Sequence, residues 1–204
     1  GFLSAFQSRQ GSRPAHGLRP RSLLAFLLVH PGMHPRTRVA GRFWPDVLET
    51  SARASLRSAL WSIRAGLEQI GADAYLRTDR TSVGIAPDLP RFVDAEEFDR
   101  LVRLGDPGSL RVACDLAGEP LLADLADEWA LDAQDAHRER LVTVYEQLAD
   151  VAEHGGDLPD AIRWTRATLE QDRLREGAHR ALMRRLDASG ERAQALAAYR
   201  RART

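Results

Sequence analysis

The sequence predicts a mainly α-helical chain in two domains. An N-terminal winged helix-turn-helix is expected over residues 1–90, and a tetratricopeptide-like helical-repeat domain over residues 91–204. Three observations predict it. Three helical stretches precede a pair of short strands in the first domain. A double-proline linker, Pro87-Asp88-Leu89-Pro90, separates a basic half from an acidic one. The acidic half repeats glycines and small residues at a spacing of 34, the period of tetratricopeptide helix pairs.

In chain order, residues 1–17 carry short apolar runs with Gln, Ser, Gly and a Pro, and read as a strand or two before a turn. From Leu18 to His30, Leu23, Leu24, Leu27 and Leu28 recur at helical spacing, and Pro31-Gly32 ends the helix. Pro31–Arg36 reads as a connection. A second helix is expected from Arg36 to Phe43, with Val39, Ala40 and Phe43 on one face. Trp44-Pro45-Asp46 breaks it, because a proline disfavours helix in the residue before it.

The third helix, from Ser51 to Ile70, is the longest of this half. Leu56, Leu60, Ile63, Leu67 and Ile70 follow one another at spacings of 4, 3, 4 and 3, so they share one apolar stripe. At about 100° per residue, Arg53, Arg57 and Arg64 fall within roughly 40° of each other on the flank of that stripe. Ser55, Ser58 and Ser62 occupy much of the remaining polar surface. Trp61 lies beside the arginines, where packing under the hairpin is preferred to stacking on a sugar. Tyr75 to Ile85 reads as that hairpin, with strands Tyr-Leu-Arg-Thr and Ser-Val-Gly-Ile around Asp79-Arg80. Trp44, Trp129 and Trp164 are expected in cores.

A net charge of zero conceals an asymmetry. Residues 1–92 hold thirteen Arg against six acidic residues, a balance of +7, and the remainder holds sixteen against twenty-three, or −7. A basic half of this kind points to nucleic acid or an anionic surface. In a winged helix the last helix enters the major groove and the hairpin follows the backbone. Arg53, Arg57 and Arg64, with Ser55, Ser58 and Trp61, are therefore candidate DNA contacts. Arg77 and Arg80 on the hairpin are candidate phosphate contacts, as are Arg19 and Arg21 at the start of the first helix.

Beyond the linker, the chain reads as helical throughout. Gly156-Asp157 recurs as Gly190-Glu191, Ala161-Ile162 as Ala195-Leu196, and Thr165 as Tyr199. Alanine lets two helices approach closely, and glycine ends the preceding helix.

The runs LLAFLLVHPG, GRFWPD, ARASLRSALWSIR and LRTDRTSVGIAP, followed by VDAEEFDRL, resemble the Streptomyces antibiotic regulatory protein family. EPLLADLADEW, QDAHRERL, EQDRLREGAHRALMRRL and SGERAQALAAYRR resemble its bacterial transcriptional activation domain. The resemblance implies a transcriptional activator with a winged helix of the response-regulator type. It would bind direct repeats upstream of promoters, with a second protomer beside it on DNA, and contact RNA polymerase and its sigma factor. The resemblance places the recognition helix at Ser55, Arg57, Ser58 and Trp61, and the wing at Arg77 and Arg80. Some family members continue past the last helix into an ATPase, so this chain reads as a fragment.

Other function classes find little support. The six histidines are scattered without metal-ligand spacing, and Pro31 and Gly32 break the helix that would align His30 with His34. No glycine-rich phosphate loop or catalytic signature is present, and no cofactor is expected. A single cysteine, Cys114, fits a reducing cytoplasm, and no apolar run reaches membrane-spanning length. The competing reading is a protein-binding helical scaffold with weak or no DNA affinity.

Overall fold

The apolar spacings of the first half produce three helices in the computed structural model, which describes residues 18–90 and 92–202. The strands expected within residues 1–17 lie outside the described residues. Helix α1 spans Leu18–Val29 and buries Leu23, Leu24, Leu27 and Leu28. Helix α2, Arg36–Phe43, buries Val39, Ala40 and Phe43. Helix α3 runs Glu49–Glu68 and buries Ala52, Leu56, Ala59, Leu60, Ile63 and Leu67. Both α1 and α2 pack against it. It begins two residues before the expected Ser51, and Glu49 supplies the reason. An acidic side chain in the first turn complements the helix dipole, and this one also pairs with Arg53 one turn on. At the other end, the amides of Gly71 and Ala72 bond back to the carbonyls of Glu68 and Leu67.

A three-stranded antiparallel sheet completes this part of the chain: β1 Met33–Pro35, β2 Leu76–Thr78 and β3 Ser82–Ile85, with β3 in the centre. The hairpin is shorter than expected, because Asp73–Tyr75 forms a 3-10 turn. The segment Pro31–Arg36, expected as a connection, instead contributes the edge strand β1, with His34 opposite Val83. A three-residue strand has too little length to show alternation, and proline is tolerated there because the strand lies at the edge. Gly84 permits this pairing. A Cβ at Gly84 would sit 2.2 Å from the Gly32 carbonyl oxygen.

The chain forms two units. The first runs to Glu96 and takes in Asp124–Ala130; the second comprises Glu97–Ala123 and the chain from Leu131. Within the first, Trp129 packs edge-on against Phe26, ring centroids 5.3 Å apart, and lies 6.3 Å from Phe43. Arg21 pairs with Asp124 at 2.8 Å, and Ser22 Oγ donates to Asp127 at 2.7 Å.

The remaining helices are α4 Asp94–Leu104, α5 Pro107–Leu116, α6 Glu128–His154, α7 Leu158–Gln171, α8 Glu176–Ala188 and α9 Arg192–Ala202. Between Leu116 and Glu128 the backbone forms turns rather than helix, so this half is not helical throughout. Asp106 and Asp157 cap α5 and α7 by accepting the amides of Ser109 and Asp160, each followed by a proline in the first turn. One core of the second unit gathers Phe98, Leu110, Val144, Leu148 and Trp164; another joins Ile162, Leu182, Leu186 and Ala198.

The 34-residue offset extends to individual hydrogen bonds. Asp157 and Glu191 each donate a 2.8 Å bond, to Ala152 and Leu186 respectively, and Gly156 and Gly190 each donate a 3.0 Å bond, to Glu153 and Asp187. Both glycines have φ near +80°, at +79° and +83°, a conformation that costs a glycine little. The copies differ in cover. Ile162 and Thr165 are buried, whereas their counterparts Leu196 and Tyr199 are exposed.

Candidate nucleic-acid interface

Because the apolar stripe of α3 faces the core, its flank is held outward. Arg53, Arg57, Trp61 and Arg64 are all exposed there. Arg53 pairs with Glu49 at 2.5 Å. Arg64 Nη2 donates to Thr78 Oγ1 at 2.9 Å and so ties α3 to the hairpin. The Arg57 side chain forms no hydrogen bond or ion pair with any described residue. Ser58 is exposed, and its carbonyl accepts from Ser62 Oγ at 3.1 Å. Ser55 is half-buried.

The structure corrects two tryptophan expectations. Trp61 does not pack under the hairpin: 73% of it is exposed. Leu60 and Ile63 fill the buried face of α3, and Arg64, not Trp61, makes the bond to the hairpin. Trp44 is half-buried, its ring 6.0 Å from that of Phe43, and is not a core anchor. Trp129 and Trp164 are buried.

On the hairpin, Arg77 and Arg80 are exposed. Arg77 pairs loosely with Asp88 at 3.4 Å, and Arg80 has no partner among the described residues. Its neighbour Asp79 accepts four hydrogen bonds. Oδ1 takes the amides of Thr81 and Ser82, both at 2.7 Å, and the Thr81 hydroxyl at 3.0 Å; Oδ2 takes the Ser82 hydroxyl. The Ser82 hydroxyl, then these further donors, hold the Asp79 carboxyl well below the usual carboxylate range.

Arg19, which is exposed, and Arg21, which is half-buried, are each engaged by another part of the first unit. The first donates to the Phe43 carbonyl, and the second pairs with Asp124. One residue the sequence reading missed is Arg36. Its Nη1 donates to the Asp79 carbonyl at 3.0 Å and its amide to the Thr81 carbonyl at 2.8 Å. Nothing local in the sequence signals a pairing across 43 positions.

The result is an exposed cationic stripe on one helix beside a hairpin bearing two more arginines. Such a face can contact phosphates and base edges. Elsewhere, Cys114 is buried in a core, and burial pushes its thiol up to about 12. Among the described residues, no group of three His, Cys, Asp or Glu is placed to hold a metal ion. No helix among them is long and apolar enough to cross a membrane.

A mainly helical chain with a small sheet is the class of protein this architecture defines. Residues 88–204 match the bacterial transcriptional activator domain, and the chain belongs to that family. Its fold is similar to that of Mycobacterium tuberculosis EmbR, solved in complex with a low-affinity phosphopeptide, with a TM-score of 0.70 and 21% identity. The likeness covers 93% of this chain and 54% of that one, so the chain spans about half the length of the solved structure. A comparison with curated proteins finds no match.

Proposed function

We propose that the chain is a sequence-specific, DNA-binding transcriptional activator of the Streptomyces antibiotic regulatory type, acting in the cytoplasm. In this reading the first unit is a winged helix with α3 as recognition helix and β2–β3 as wing. The observation that carries it is the exposed stripe of Arg53, Arg57, Trp61 and Arg64 beside the hairpin bearing Arg77 and Arg80. Arginine neutralises phosphates and forks onto guanine O6 and N7. The second unit, with its repeated helix ends, is a tetratricopeptide-like module that contacts RNA polymerase and its sigma factor. A second protomer beside the first would occupy the other half of a direct repeat.

The test is selection of bound duplexes from a random pool, followed by titration of the selected duplex at rising salt. A repeated motif at fixed spacing is expected. Affinity should fall steeply between about 50 and 200 mM salt, as it does when several phosphates are neutralised. Arg57→Ala should weaken binding. If no duplex is enriched at low salt, the DNA reading fails and the protein-binding scaffold takes its place.

A further inference from the structure

The tip of the β2–β3 hairpin is internally satisfied to a degree its length does not demand. Asp79 accepts the amides and the hydroxyls of Thr81 and Ser82, and its own amide donates to the Ser82 carbonyl at 3.1 Å. Arg36 closes the opposite side through the carbonyls of Asp79 and Thr81. Only the Arg80 side chain leaves this knot, exposed and without a partner among the described residues.

We infer that Asp79 and Arg36 are positioning residues that hold the hairpin tip in one conformation and aim Arg80 at a DNA phosphate. This rests on the DNA-binding reading proposed above. Two conformational costs explain the arrangement. A four-residue tip loses backbone freedom when it docks, and an arginine side chain loses rotamer freedom as well. A tip already fixed by its own hydrogen bonds has made the first loss during folding, so that binding bears only the second. Placing a carboxylate next to the contacting cation would otherwise weaken its attraction for phosphate. Here the four donors disperse the Asp79 charge inward, toward the tip's own amides and hydroxyls.

The experiment is a double-mutant cycle on the full chain, read as affinity for the selected duplex across a salt series. Arg80→Ala should weaken binding several-fold and lower the slope of log affinity against log salt by about 1, as loss of one phosphate contact does. Asp79→Ala should reproduce both changes with Arg80 intact. The double variant should be no weaker than either single one. Asp79→Asn keeps an acceptor oxygen for the two amides and should restore most of the affinity, which guards against a variant that merely misfolds. Losses that add in the double variant, or an unchanged salt slope in Asp79→Ala, overturn the inference while leaving the DNA reading intact. A wild-type chain that ignores duplex DNA overturns both.

Discussion

The Trp129 indole donates to Ser22 Oγ at 3.2 Å, and both residues are buried. The bond joins Asp124–Ala130 to α1, well beyond the linker at which the sequence divides the chain. Trp129 also packs against Phe26 and Phe43, so it is part of the first unit's core. Trp129→Ala should destabilise that unit by about 3–5 kcal/mol, the usual cost of truncating a buried aromatic residue. Trp129→Phe keeps ring packing and loses one hydrogen bond, at about 1 kcal/mol. Hydrogen exchange of the α1 amides measures both. Protection in Trp129→Ala equal to wild type would sink the assignment.

Gly84 and Gly41 should respond oppositely to alanine. At Gly84 a methyl group meets the Gly32 carbonyl oxygen at 2.2 Å and Met33 Sδ at 2.9 Å, and the backbone atom cannot move without parting β1 from β3. Gly84→Ala should cost about 1–3 kcal/mol, as overpacking does. Gly41 lies exposed within α2 with nothing within 4 Å of an added Cβ. Gly41→Ala should stabilise by about 0.5–1 kcal/mol through helix propensity. Urea midpoints decide it; two shifts of the same sign would contradict the geometry.

The legible part of the sequence is periodic and local. The 3–4 spacing of Leu56, Leu60, Ile63 and Leu67 defines the buried face of α3, and so predicts which arginines point away from it. The 34-residue echo of Gly156 in Gly190 is plain from the residues themselves. What escapes is short or distant. Met33–Pro35 is too brief to show alternation, and Arg36 meets Asp79 across 43 positions. The engagement of Arg19 by Phe43 and of Arg21 by Asp124 depends on tertiary packing. Trp61 shows the limit of composition: large apolar residues are usually buried, yet this one shares its helix flank with three arginines and stays outside.

That exposure gives an optical test. Trp129 and Trp164 are buried and Trp44 is half-buried, so Trp61 should dominate the emission open to a quencher in solution. Acrylamide should quench the free chain strongly and Trp61→Phe much less. Adding the selected duplex should shield the same fraction, since an indole on the docking face is covered by sugar and phosphate. Full quencher access in the DNA-bound chain would remove Trp61 from the interface.

In the second unit, Arg185 should make stability depend on acid. Its side chain is only 3% exposed and pairs with Asp150 at 2.6 Å and Glu153 at 2.8 Å, while Nη1 donates to Thr165 Oγ1 at 2.6 Å. Burial pulls the Glu153 carboxyl upward, but hydrogen bonds from Arg185 and Arg184 outweigh it and hold it below its ordinary value. A carboxylate depressed in the folded state contributes stability above its unfolded pKa and loses it as pH falls through the folded one. The second unit should therefore weaken as pH drops below the normal glutamate value of 4.5. Arg185→Met should cost about 1–3 kcal/mol near pH 7, less than a fully buried pair because both carboxylates reach solvent. It should also flatten the acid dependence, leaving the part that Arg184 maintains. Urea midpoints of the second unit at about pH 7 and about pH 4 supply the comparison. An equal loss at both pH values in wild type and Arg185→Met would show that the network confers no acid sensitivity.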